Sequence, residues 1–224
     1  MTEHAAWHAA GVPSDGSRRM VGARHNIKPY PLTSEPAGKI NVTDPDSRNL
    51  KTTRGWVQGY NAQAVVGEGQ IILAAEISVE SLDTANLAPM VQTAIGELEA
   101  AGVTEAPGIV LADAGYWKND AIETLDAQGI PTLVAPDADR RKGPRPGRRG
   151  GRYEFARRVL ATDWGKQLYL KRQGRVEPVF GQIKSNRGAD RFQRRGRSAV
   201  RSEWRLLAAT HNLLKLHRHR LAIA

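Results

Sequence analysis

The chain has 224 residues, no cysteine, and 33 Lys+Arg against 23 Asp+Glu, for a formal net charge of +10. Without cysteine there are neither disulfide staples nor thiolate metal sites, which suits a reducing cytoplasm, the expected location. The uninterrupted apolar runs, such as Ile71–Ala75, are far too short to span a bilayer, and no charged-then-apolar leader opens the chain, so no membrane partner is expected.

Charge is distributed unevenly. Residues 1–138 carry net −8, residues 139–164 net +6 and residues 165–224 net +12. A pI near 10.2 with the positive charge gathered in one half is the electrostatic footprint of a nucleic-acid binder; the plain alternatives are a merely basic soluble protein and a membrane-surface protein.

Along the chain, residues 1–38 mix His, Gly, Ser, Pro and Arg without periodicity and read as a poorly ordered leader; a single domain is expected over 39–220. Tyr60–Val66, the turn at Gly67 to Gly69, and Ile71–Val79 predict a β-hairpin. Leu87, Met90, Val91, Ala94, Ile95 and Leu98 recur at three-and-four spacing, predicting a helix over Leu87–Ala101 closed by Gly102. Ile109–Ala112 predicts a short strand ending at Asp113, followed by a helix over Asn119–Gln128 closed by Gly129 and a strand over Thr132–Ala135. That succession implies a parallel pair with a right-handed crossover, hence an α/β fold.

Residues 139–152, dominated by Arg140–Arg152, lack apolar content and predict a basic loop. Beyond it, Val176, Val179, Phe180 and Ile183 mark one helix, with Pro178 read as its first residue so that Glu177 lies at its start. Val200, Trp204, Leu207, His211 and Leu214 mark a final helix of about five turns. On that apolar stripe His211 and Trp204 are expected as core residues. His217 and His219, in a basic tail, are expected to add charge rather than to bind metal.

Two carboxylates draw the chemistry. Asp113 sits at the C-terminal end of a parallel strand, where open α/β sheets place their sites; its plain alternative is to cap the turn toward Gly115 and Tyr116. Glu177 is a lone acid in a cationic stretch, with Gly181 and Lys184 four and seven residues on, on the same helical face. A carboxylate among cations is suited to holding a metal ion against a polyanion, which points to phosphodiester chemistry on nucleic acid.

Several ordered blocks then resemble one family. They are Asn41–Arg48 (NVTDPDSR), Gly55–Ala64 (GWVQGYNAQA), Leu111–Tyr116 (LADAGY), Val176–Lys184 (VEPVFGQIK) and Thr210–Lys215 (THNLLK). The chain resembles, over Lys39 to Leu216, the DDE-type transposases of bacterial insertion sequences. The resemblance implies an RNase H-like α/β fold, a mixed sheet flanked by helices, with Asp113 and Glu177 as catalytic and metal-binding residues. It implies Mg²⁺ or Mn²⁺ as cofactor, DNA (transposon ends and target) as partner, and leaves homo-oligomerisation open. The family's tyrosine, arginine, glutamate and lysine pattern falls on Tyr169, Arg172, Glu177 and Lys184, with Arg175 competing for the arginine role. Tyr169, Arg172, Lys184 and Arg187 are the candidate DNA-binding residues.

The sequence departs from the family at one place: no apolar-Asp-Gly-Thr stretch, which carries the first catalytic Asp, precedes Asn41. The expectation is an incomplete catalytic domain lacking its first strand, with Asp44 or Asp46 as the alternative donor. Pro45 disfavours that substitution by making Asp44 extended and turn-like. The rival readings are a nuclease of the same fold, a catalytically dead DNA-binding remnant, and a basic RNA-binding protein in which both carboxylates are incidental.

Overall fold

The computed structural model describes residues 41–52, 55–137, 143–144 and 150–223. The expected leader 1–38 and most of the basic loop 139–152 lie outside these residues. Among the described residues the architecture is mixed α/β, built around three two-stranded sheets rather than the one continuous mixed sheet expected.

Strands β1 (Arg48–Thr52) and β2 (Gly55–Gly59) form an antiparallel ribbon with Leu50 opposite Val57, exposed along most of its length. The expected hairpin follows as β3 (Asn61–Val66) and β4 (Ile72–Ser78), antiparallel with Ala64 opposite Ala75. Helix α1 (Leu87–Ala100) covers one part of this hairpin, where Met90 and Ala94 meet Ala74. It ends as Gly102 predicts: with φ +81, Gly102 donates to the Glu99 carbonyl at 2.9 Å and Val103 to that of Leu98 at 2.9 Å, a Schellman cap.

Strand β5 (Val110–Ala112), helix α2 (Asn119–Ala127) and strand β6 (Thr132–Val134) form the expected crossover, with β5 and β6 parallel and Leu111 opposite Leu133. A core gathers Val91 of α1, Leu125 of α2, Val134 of β6, and Tyr153 and Ala156 of α3 (Gly151–Ala161). Burial of those side chains is what holds the parallel pair, since three residues per strand offer few ladder bonds of their own.

Helix α4 (Asp163–Gly181) corrects one expectation. Pro178 does not open a helix but lies inside one, so Glu177 is a mid-helix residue. A proline here lacks the amide that would bond the carbonyl four residues back, that of Gly174. Gln70 replaces the missing donor: its Nε2 donates to the Gly174 carbonyl at 3.2 Å. The first half of α4 escaped the periodicity because it has little apolar stripe; Trp164 and Leu170 are exposed. The α3–α4 joint is tight. Thr162 Oγ1 accepts from the Gly165 amide at 3.0 Å, and a Cβ on Gly165 would lie 2.0 Å from the Val159 carbonyl oxygen.

A π-helical turn, Gln182–Asn186, leads out of α4. The final helix α5 (Arg197–Ile223) has 27 residues, about 40 Å, and is longer than the five turns expected. Its Val200, Trp204 and Ala208 pack with Val179 and Ile183 against Ile72 and Ile77 of β4. Trp204 and His211 are buried as expected. Trp204 Nε1 donates to the Gln63 carbonyl at 2.8 Å, and His211 Nε2 to that of Gln70 at 3.0 Å. Among the described residues no helix is long and apolar enough to cross a membrane.

Candidate active site

Asp113 leaves the C-terminal end of β5 in an extended conformation (φ −80, ψ 175) and caps the short 3₁₀ turn Ala114–Tyr116, its Oδ1 accepting from the Gly115 amide at 2.9 Å. The capping role and the strand-edge role coexist, because the second oxygen remains free to face α4. Arg172 Nη1 lies 3.9 Å from Asp113 Oδ2, with the aspartate side chain 46% exposed and the arginine 13%. The Arg172 guanidinium stands 4.9 Å from the Tyr169 ring centroid, and its Nε is buried without a hydrogen-bond partner. The face of the Tyr169 ring attracts that cation and helps hold it beside Asp113. Arg175 is occupied elsewhere, donating to Glu68 Oε1 at 2.7 Å.

A second carboxylate lies beside Asp113 that the sequence pattern did not single out. Asp83 Oδ1 accepts from Asn61 Nδ2 at 2.8 Å and from Gln63 Nε2 at 2.7 Å. Gly115 separates the two acids. A Cβ built on it would lie 3.0 Å from Asp113 Oδ1 and 3.2 Å from Asp83 Oδ2. The Tyr116 hydroxyl, which donates to Gln63 Oε1, is pushed well above the usual phenol range by burial first and then by the charges of Asp83 and Asp113. In the sequence Asp83 is one acid in a turn before a helix, a position where acids are common for reasons of the helix dipole alone.

Glu177 stands five residues beyond Arg172 on α4, about 7.5 Å further along its axis, exposed and without a hydrogen bond or ion pair among the described residues. Lys184, in the π-helical turn, reaches over the Phe180 ring at 5.4 Å to the centroid. Arg187 is turned toward α5, donating to the Leu207 carbonyl at 3.2 Å and to Thr210 Oγ1 at 2.5 Å. The structure thus brings Asp113, Arg172 and Tyr169 together and adds Asp83, while Arg187 spends its guanidinium on holding α5.

Neither alternative acid near the start of the domain is free. Asp44, 9% exposed, accepts from the Tyr60 hydroxyl at 2.7 Å and lifts that phenol after burial does. Asp46 Oδ2 accepts from the Arg197 amide at 3.0 Å and so caps the start of α5. Among the described residues no group of three or more His, Cys, Asp or Glu side chains gathers as a metal site. At the same edge of the parallel pair an open cleft of about 600 Å³ is lined by Ala135, Asp137, Arg157, Lys166, Tyr169 and Gln173.

A parallel strand pair whose C-terminal edge presents an aspartate to an arginine-bearing helix defines a mixed α/β protein. The transposase DDE domain family matches residues 37–213, more than half of the chain, and the chain belongs to that family. No curated protein and no solved structure matches it.

Proposed function

We propose that the chain is an RNase H-like catalytic domain of a cytoplasmic DNA transposase, with Asp113 and Glu177 as its assigned acidic residues. The observation that carries this reading is the placement of Asp113 at the edge of the parallel pair, 3.9 Å from Arg172 of α4. In the sequence, residues 139–224 carry net +18, which favours association of this part of the chain with a polyanion. Arg172, held beside Asp113 by the Tyr169 ring, offers its guanidinium to a phosphate; Lys184 supplies a second, point-like cation, and Arg187 adds its charge from the α5 side.

The family generally uses a divalent metal. Carboxylate oxygens suit hard Mg²⁺ or Mn²⁺. The donor set here does not fit a two-metal site, because no three such ligands gather among the described residues and Asp44 and Asp46 are committed to Tyr60 and α5. With that donor set the 224-residue chain is expected to bind DNA without nicking or joining it. That favours, as the second reading, a DNA-binding domain without catalysis.

The test is fluorescence anisotropy of duplex DNA with the purified chain, alongside nicking and strand-transfer assays with Mn²⁺. The logarithm of affinity should fall linearly with that of salt concentration, by about 0.9 per phosphate neutralised. Affinity indifferent to salt refutes DNA binding through phosphates. Metal-dependent nicking abolished by Asp113→Asn refutes the incomplete site, and the same activity abolished by Asp46→Asn makes Asp46 a catalytic donor.

A further inference from the structure

The last of the ordered sequence blocks, Thr210–Lys215, lies far along the chain from both assigned carboxylates, yet two of its side chains converge on one turn and a third on the start of the strand after it. That turn is the 3₁₀ segment Glu68–Gln70, which joins β3 to β4. His211 Nε2 donates to the Gln70 carbonyl at 3.0 Å, and Lys215 Nζ donates to Gln70 Oε1 at 2.5 Å. Asn212 grips the next residues in two directions: its Oδ1 accepts from the Ile72 amide and its Nδ2 donates to the Ile72 carbonyl, both at 2.8 Å.

Gln70 is the one non-glycine residue with positive φ among the described residues, at +64°. Such a conformation costs a side-chain-bearing residue free energy and persists where the surroundings over-determine it. The surroundings here use the side chain: with Lys215 holding Oε1, the amide Nε2 is aimed at Gly174 and bonds its carbonyl at 3.2 Å. Gly174 is the residue that Pro178 leaves without its helical donor, and Glu177 lies between the two. Beside it, Arg175 donates to Glu68 Oε1 at 2.7 Å, a second tie from the same turn. Among the described residues the Glu177 carboxylate makes no hydrogen bond or ion pair, so it goes where the α4 backbone takes it, at the place where the helical ladder is broken.

We propose that Gln70, held by His211 and Lys215 of α5, is the positioning residue for Glu177: it replaces the hydrogen bond that Pro178 removes and so fixes the turn of α4 that carries the carboxylate. Glu177's importance rests on the function proposed above; the mechanical role of Gln70 does not. The chain contains no cysteine, so Glu177→Cys gives a single attachment point for a spin label.

The experiment compares Gln70→Gly, which relieves the positive-φ strain while deleting the side chain, with the same change in a Pro178→Ala background, where residue 178 regains an amide for Gly174. Gln70→Gly should raise amide exchange over residues 174–181 about three- to tenfold, the size expected for one lost hydrogen bond, and loosen the label at position 177. Pro178→Ala should restore both readings. Because an alanine in place of a helical proline also steadies α4 by itself, the deciding quantity is the fold-change caused by Gln70→Gly in each background, about three- to tenfold with Pro178 present and close to one in the Pro178→Ala background. Exchange and label mobility unchanged by Gln70→Gly, or changed by the same factor in the Pro178→Ala background, overturns the proposal. Neither readout needs DNA or metal, so failure of the functional reading in the anisotropy experiment leaves this outcome independently decidable.

Discussion

Replacing Gly115 by alanine sets two effects of opposite sign against each other at the site. Gly115 does not have positive φ, so an alanine there needs no strained backbone and, acting through the unfolded chain, would stabilise by about 0.4–1 kcal/mol if space allowed. Space does not allow it without a shift. The new Cβ meets Asp113 Oδ1 at 3.0 Å and Asp83 Oδ2 at 3.2 Å, where ordinary contacts begin near 3.4 Å. Asp83 yields at little cost, because its Oδ2 is not the oxygen held by Asn61 and Gln63. Asp113 does not, because the oxygen in contact is the one that accepts from Gly115's own amide at 2.9 Å. Moving it weakens the cap, worth about 0.5–2 kcal/mol, and adds the cost of a crowded contact, about 1 kcal/mol or more. The crowding and cap terms exceed the entropic gain, so Gly115→Ala should destabilise by about 1 kcal/mol, read as a lower urea midpoint at unchanged slope. It should also weaken DNA binding by disturbing the Asp113–Arg172 pair. A midpoint that rises in Gly115→Ala would show that Asp113 is not held where its cap and Arg172 place it.

Two further outcomes follow from the packing of the site's supports. Gly165→Ala drives a Cβ to 2.0 Å from the Val159 backbone oxygen, which no rotamer relieves; the α3–α4 joint must open, with a loss of about 2–3 kcal/mol in urea unfolding, and a loss under about 0.5 kcal/mol would refute the close approach. Glu76 ties β4 to α5 through Arg201 and Arg205, and although burial alone would raise its carboxyl, the two guanidiniums hold it below the usual range. A lowered folded-state value means that this stability is fully present above the unfolded carboxylate value, near 4.3, and is lost as pH falls from there through the folded value. Glu76→Gln should therefore cost about 1 kcal/mol at pH 7 and progressively less below about pH 4, checked by urea midpoints across that range; a gap that widens in acid would contradict the pairing.

The elements bounded by glycine were legible. Gly102 and Gly129 end α1 and α2 because positive φ is cheap there, and the apolar run at Ile109–Ala112, too short for a helix, reads as a short strand with Asp113 at its edge. The reading of Pro178 as a helix start failed for a definite reason. A proline inside a helix is excluded only if nothing else supplies the missing donor, and the donor, Gln70, lies more than a hundred residues earlier.

Local sequence thus determined the β3–β4 hairpin, α1, the β5–α2–β6 crossover, the final helix and where the charge lies, since periodicity, turn chemistry and composition act over a few residues; β1, β2, α3 and the first half of α4, with little apolar periodicity, did not show. Only the tertiary structure decided that Arg172 rather than Arg175 faces Asp113, that Asp83 joins it, that Asp44 and Asp46 serve Tyr60 and the α5 cap, and that Arg187 bonds α5. Each of those outcomes depends on which donor reaches which acceptor first across dozens of residues of chain, and a contact that long is set by the packing of helices on the hairpin, not by the residues on either side of it.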